Sequence, residues 1–155
     1  VTAIQTPRVV GVAAVIPGPV PHVMETAMGG DMTDIELAAM NFVMLWERDQ
    51  GREPEDVHKT GVGYDIKSTG PDGSVRYIEV KGHATTGDVI LYYTEWQTAH
   101  RMREEFFIYE VNYALTNPQL RIIQDPVGKG IQPVERVVEY LISADQVDRV
   151  AEPVA

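Results

Sequence analysis

GYDIKSTGPDGSVRYIEVKG, Gly63 to Gly82, is the stretch whose reading decides the fold. Two β-type runs, Tyr64 to Thr69 and Val75 to Lys81, flank Gly70-Pro71-Asp72-Gly73-Ser74, turn chemistry that joins antiparallel strands. A loop centred on Asp72 pairs residues whose numbers sum to 144, which sets Asp65 opposite Glu79. Period-2 alternation puts Glu79 and Lys81 on the same face of the second strand. Directly opposed carboxylates, with Cβ atoms about 5 Å apart, destabilise a sheet by up to ~1 kcal/mol. Burial raises that cost or forces one of them to take a proton. A divalent cation removes the conflict, since Mg²⁺ accepts a few carboxylate oxygens and keeps several waters. Lys81 would then stand beside the metal, placed to orient or deprotonate a water or to stabilise phosphoryl charge. A plainer reading stays open: Glu79 and Lys81 as an ion pair, Asp65 paired with Lys67. A one-residue slip in register would turn Asp65 to the other face.

Upstream, Thr33 to Gly51 reads as a buried helix, with a Thr33-x-x-Glu36 capping box, apolar residues nearly all round, and glycine at the end. Downstream, Val89 to Tyr93 reads as a third strand and Thr94 to Glu104 as a second helix opened by Thr94-x-x-Gln97. Phe106 to Tyr113 and Leu120 to Gln124 read as two further strands. Pro133 to Asp145 carries Val134, Val137, Val138, Leu141 and Ile142 at helical spacing, which predicts an amphipathic helix. The expected class is mixed α/β (α+β), a central mixed sheet flanked by helices. The order is α-β-β-β-α-β-β plus a C-terminal helix. Domain organisation is read as an arm or linker over 1–32, a core over 33–126 and an extension over 127–155.

Composition sets outer limits. The 155 residues, 44% hydrophobic, suffice for one core. With no cysteine, disulfide frameworks and thiolate-zinc sites are excluded, and a reducing, cytoplasmic setting is the expectation. A net charge of −10 disfavours a broad grip on phosphates, so any nucleic-acid contact must be local. Lys59, Lys67, Arg76, Arg101 and Arg103 are the candidates for such a rim, though any solvated surface shows as many. The apolar run Val9 to Ile16 ends at Pro17 and is far shorter than the roughly 20 residues of a membrane span. It is preceded by Arg8 but lacks a small-residue cleavage site, and reads as an extra strand or a connection from a preceding domain. Opening on Val1 suits a processed product or a piece of something longer.

At the residues quoted above the sequence resembles a known family. GYD at Gly63 to Asp65, a turn, then IEVKG at Ile78 to Gly82 is similar to the PD-(D/E)XK nuclease superfamily, which implies a restriction-endonuclease-like α-β-β-β-α-β core. More closely, Glu36, Trp46-Glu47-Arg48 with Gly51, the GYD and IEVKG segments, Thr94-Glu95-Trp96 with Ala99, and Asp125-Pro126 together resemble the NO VEIN C-terminal domain. That family is often appended to helicase-like or restriction-type proteins, and the resemblance spans roughly Thr33 to Pro126. It implies Asp65, Glu79 and the backbone carbonyl of Val80 as ligands of Mg²⁺ or Mn²⁺, Lys81 as the catalytic lysine, and Glu36 as a supporting helix acid. One departure is that Tyr64 stands where the superfamily's motif has proline, which is not a ligand.

Residue chemistry also offers ordinary roles. Glu36 is the last member of a capping box and an acid in a helix's first turn, where the dipole favours it. Glu95 and Trp96 read as a helix-start charge and a packing anchor. His83 follows the lysine closely enough to line the same cleft. Gly128-Lys129-Gly130 lacks the rest of a P-loop, the four histidines show no HExxH spacing, and no Gly-x-Ser-x-Gly elbow is present. Two expectations follow: a Mg²⁺-dependent nuclease domain acting on DNA within a larger helicase-like or restriction protein, or a non-catalytic module of the same fold that recognises DNA or a protein. No membrane partner is expected.

Overall fold

The computed structural model describes residues 32–136 and 139–153, so the expected arm over 1–32 lies almost wholly outside them. The first element, α1 (Asp34–Asp49), begins where the sequence places its box: Glu36 N–H donates to Thr33 Oγ1 at 3.3 Å, and Glu36 Oε2 accepts from Thr33 N–H at 2.8 Å. Ala39, Met40, Val43 and Glu47, spaced to share one side, are its buried face. The chain then forms β1 (Glu53–Asp56), β2 (Ile66–Thr69) and β3 (Val75–Gly82), an antiparallel meander. Its β2–β3 register runs Ile66↔Ile78 to Thr69↔Val75, the pairing set by the turn. That turn is closed by Gly70 N–H to Ser74 O at 2.7 Å and Ser74 N–H to Asp72 Oδ1 at 2.9 Å, with Gly73 at φ +80°.

Next come β4 (Val89–Tyr92) and, without a connecting loop, α2 (Tyr93–Met102). This crossover returns the chain to β5 (Phe106–Asn112), which lies parallel to β3 with Lys81↔Glu110 in register, and β6 (Gln119–Gln124) folds back antiparallel on β5. After β7 (Val134–Glu135) and β8 (Glu139–Ile142) come α3 (Ala144–Val150) and β9 (Glu152–Pro153). Six strands form one mixed sheet, β1-β2-β3-β5-β6-β9, and three a smaller one, β4-β8-β7.

The mixed α/β class holds, with three local corrections. The helix expected over Pro133 to Asp145 is not found among its described residues before Ser143: β8 pairs with β4, Ile90 facing Leu141, and α3 follows from Ser143, which caps it through Gln146. Val134 and Ile142 are β-branched and fit a pleated surface better than a helix, and Ser143-x-x-Gln146 marks the true start. Secondly, the Val89 strand joins the smaller sheet, while Glu-Pro-Glu-Asp of β1, too polar to read as a strand, supplies the edge of the main one. Thirdly, α2 opens at Tyr93, so Glu95 rather than Gln97 occupies the position that accepts the capping N–H.

Both faces of the main sheet are covered. Ile78, Val80, Phe107, Tyr109 and Val111 pack with α1, while Tyr77, Phe106 and Ile108 pack with α2, β4 and α3. The two helices therefore see alternate residues of the same strands. On the α1 side, Gly82 permits the helix to approach closely: a Cβ there would stand 2.8 Å from Ala39 Cβ and 3.0 Å from Ile35 O. The C-terminal turn of α1 buries Glu47 completely. Its carboxylate accepts from Arg76 Nη1 at 2.9 Å, Ser68 Oγ at 2.5 Å and Tyr109 OH at 2.6 Å, with Arg52 Nε at 3.1 Å. This knot ties α1 to β2, β3 and β5. A cavity of about 180 Å³ beside it, walled in part by Trp46, Arg76, Phe107 and Tyr109, contains none of the acids of the opposite face.

Candidate functional site

On the α2 side, Glu79 and Lys81 alternate along β3 with Ile78 and Val80, which face α1. Glu79 is 2% exposed. Lys81 Nζ stands 2.6 Å from Glu79 Oε1 and 3.0 Å from Glu95 Oε2, and lies 5.7 Å from the centre of the Tyr92 ring. Glu95 is fixed at the start of α2 by the Tyr92 N–H, 2.8 Å from Oε2. Asp65 directly precedes β2. Its N–H donates to Ile78 O at 2.9 Å, continuing the ladder, and its Oδ2 accepts the Val80 N–H at 2.8 Å. The pairing rule therefore brings Asp65 beside Glu79.

Glycine makes the meeting possible. Gly63 adopts φ +85°, and a Cβ there would stand 2.4 Å from Thr98 Oγ1 and 3.1 Å from Thr94 O. Only a residue without a side chain lets the loop before Asp65 lie against α2, which carries Glu95.

Three carboxylates thus surround one ammonium, leaving two negative charges in excess when all are ionised. Their protonation reflects this. Burial, then Asp65 and Glu95, push Glu79 well above the usual carboxylate range, with Lys81 opposing. Asp65 is pushed up to about 6 by burial, against the opposing pull of Lys81 and the Val80 N–H. For Lys81 burial works against the charge, yet Glu79, Glu95 and Asp65 outweigh it and raise its pKa. The lysine stays an ammonium and acts as a fixed positive charge.

A hard divalent cation suits this donor set, because carboxylate oxygens are its preferred ligands and its charge answers the excess. Asp65 and Glu79 are the residues that would hold it. Among the described residues no group of three or more His, Cys, Asp or Glu side chains is arranged as a metal cage, so solvent would have to supply several ligands. Glu36, expected as a supporting acid, has its carboxylate engaged by Thr33 N–H at 2.8 Å and Thr33 Oγ1 at 3.0 Å, in the cap of α1. None of the hydrogen bonds or ion pairs that hold Asp65, Glu79, Lys81 and Glu95 includes it. Val80 contributes its N–H to Asp65. Glu95 is the residue the sequence undervalued: it reads only as a helix-start charge, and both its capping role and its meeting with Lys81 emerge from the structure.

No curated protein matches this sequence. A family model described as "Protein NO VEIN, C-terminal" matches residues 35–123, a span that includes nearly all of α1, the β1–β3 meander, β4, α2, β5 and nearly all of β6. Since that match covers more than half of the chain and contains Asp65, Glu79, Lys81 and Glu95 together, the chain belongs to the NO VEIN C-terminal family.

Proposed function

We propose that this domain is a divalent-cation-dependent phosphodiesterase of the PD-(D/E)XK type that acts on DNA. The carrying observation is the unbalanced charge: three carboxylates gathered around one ammonium, on the side of the sheet away from the Glu47 knot. The main-sheet order supports a restriction-endonuclease-like core, since an antiparallel meander is followed by a helix and a strand parallel to β3. Family membership fits a module of a larger, helicase-like protein.

In this reading Asp65 and Glu79 bind Mg²⁺ or Mn²⁺. The bound metal would supply Lewis-acid stabilisation of the charge that develops on phosphorus-bound oxygens. Lys81, always protonated, contributes a fixed cation that orients the scissile phosphate or the attacking water. Glu95 holds that ammonium in place from α2, and Tyr92 covers it. Val80 N–H fixes the Asp65 carboxylate.

The decisive experiment is calorimetric titration of Mn²⁺ into the wild-type chain and into folded Asp65→Asn and Glu79→Gln variants, followed by cleavage assays on single- and double-stranded DNA. Binding lost in both variants, with scission abolished by Glu79→Gln, is the expected outcome. Retained cleavage in Glu79→Gln would sink the assignment.

A second reading, a non-catalytic recognition module, is favoured by one observation: Lys81 is already closed between Glu79 and Glu95 at 2.6 and 3.0 Å, an ion cluster complete without metal. DNA binding that survives Glu79→Gln and ignores Mn²⁺ would select it.

A further inference from the structure

Beyond Lys81 the same face of the sheet carries a second polar group. His83 follows β3 and keeps the ladder going, its N–H bonded to Val111 O at 2.9 Å and its carbonyl accepting from Ala114 N–H at 3.0 Å. Two residues past Lys81 on an extended chain, it lies about 6.6 Å along the strand and on the same side. Its Nε2 is buried, has no hydrogen-bond partner among the described residues, and stands 3.7 Å from Glu110 Oε1.

Glu110 is 1% exposed and is the β5 residue in register with Lys81. The Asn112 amide, turned so that its nitrogen donates, bonds Glu110 Oε1 at 3.3 Å and Thr85 O at 3.2 Å. Arg121 Nε lies 2.9 Å from Glu110 Oε2, charge against charge but out of hydrogen-bond alignment, and Arg121 also pairs with Asp148. A buried carboxylate thus backs one edge of the imidazole. The opposite nitrogen, Nδ1, is turned toward Gly87, where a Cβ would stand 3.2 Å away. Glycine keeps a side chain off that edge.

Lys81, clamped between two carboxylates, cannot take a proton from water. We propose that His83, seated on Glu110, is the proton acceptor of this site, with Nδ1 as the accepting atom. The role rests on the phosphodiesterase reading above. In the step, water gives a proton to Nδ1 while its oxygen forms a bond to phosphorus and the ester bond to the leaving sugar oxygen breaks. The proton on the imidazolium ends, through solvent, on the leaving alkoxide. Glu110, 3.7 Å from Nε2 and out of hydrogen-bond reach, steadies the imidazolium through its charge. Groups facing the ring are Lys81 from β3, Glu110 from β5, Arg121 from β6 and Asp88 from the loop before β4. Burial first, then Arg121 and Lys81, hold the imidazole pKa below its ordinary value, with Asp88 opposing, so the ring is neutral and ready to accept at neutral pH.

The test measures hydrolysis of bis(4-nitrophenyl) phosphate and of a single-stranded oligonucleotide by the full chain with Mn²⁺. It covers pH 5 to 8.5 in wild type, His83→Gln, Gly87→Ala and Glu110→Gln, each checked for folding by circular dichroism. In wild type, kcat is expected to rise with pH through an acidic limb below pH 6.5 and then level off. His83→Gln should lower kcat by about 10²-fold with KM little changed and erase the limb. Gly87→Ala keeps every charge and covers Nδ1, so it should lower kcat in the same way. Glu110→Gln should move the limb to lower pH. Unchanged kcat and an unchanged limb in folded His83→Gln, with an active wild type, overturn His83 alone. Absence of hydrolysis in wild type overturns the phosphodiesterase reading and this role with it.

Discussion

The two faces of the main sheet bury acids in opposite ways. On the α1 side a single carboxylate, Glu47, meets two guanidinium groups and two hydroxyls, and its oxygens are saturated. On the α2 side three carboxylates share one ammonium, and Glu79 is held well above the usual carboxylate range. Burying charge is tolerated when partners match it and is costly when they do not. The matched knot belongs to the fold, and the unmatched cluster is the conflict that the proposed cation would relieve.

The sharpest way to break this contrast is Glu47→Ala. It leaves Arg52, Arg76, Ser68 and Tyr109 without their common acceptor, and chemical denaturation should show a loss of about 3–5 kcal/mol. A loss under 1 kcal/mol would mean the knot is ornamental.

Protons probe the other face. Asp65, with its folded pKa near 6 against an ordinary 3.8, binds more protons folded than unfolded. Its contribution is fully present below pH 3.8 and is lost as pH rises through about 6. Metal-free protein should therefore lose on the order of 3 kcal/mol across that window from this group. Asp65→Asn should flatten the curve and leave stability at pH 7.5 equal to or above wild type. Mn²⁺ should restore stability more at pH 7.5 than at pH 5, because the cation competes with protons for the carboxylates. A wild-type curve that rises from pH 4 to 7 in metal-free buffer, unaltered in Asp65→Asn, would contradict the conflict.

Gly63→Ala tests how the cluster is brought together. The added Cβ collides with Thr98 and the backbone is strained at φ +85°, a cost of about 1–3 kcal/mol. The loop must lift from α2, so Mn²⁺ affinity should fall with stability. Affinity unchanged in a destabilised variant would show that Asp65 does not need this approach. The smallest effect is expected at Tyr109→Phe, which removes one bond to Glu47 and one from Arg76: about 1 kcal/mol, read from the denaturation midpoint, with Mn²⁺ binding untouched.

What the sequence revealed follows the range of the forces involved. The turn around Asp72 fixed the β2–β3 register locally, so the meeting of Asp65 and Glu79 was legible from numbering alone. Thr33 and Glu36 announced α1 in the same way. By contrast, Glu95 reaches Lys81 across an interlayer packing that no local pattern encodes, and the Arg52–Glu47–Arg76 knot joins residues far apart in the chain. The misread C-terminal segment shows the limit of periodicity, since Val134, Leu141 and Ile142 suit a helix by spacing, while the β-branching of Val134 and Ile142 suits a strand. Pairing with β4 settled it.

That pairing reaches beyond the matched family segment. Tyr92 ends β4 and Tyr93 begins α2 with no slack between them, so the position of Glu95 is inherited from β4, and β4 is held at its edge by β8. The family match stops at residue 123. A protein trimmed to that boundary would keep all four charged residues of the cluster and lose the strand that anchors one of them.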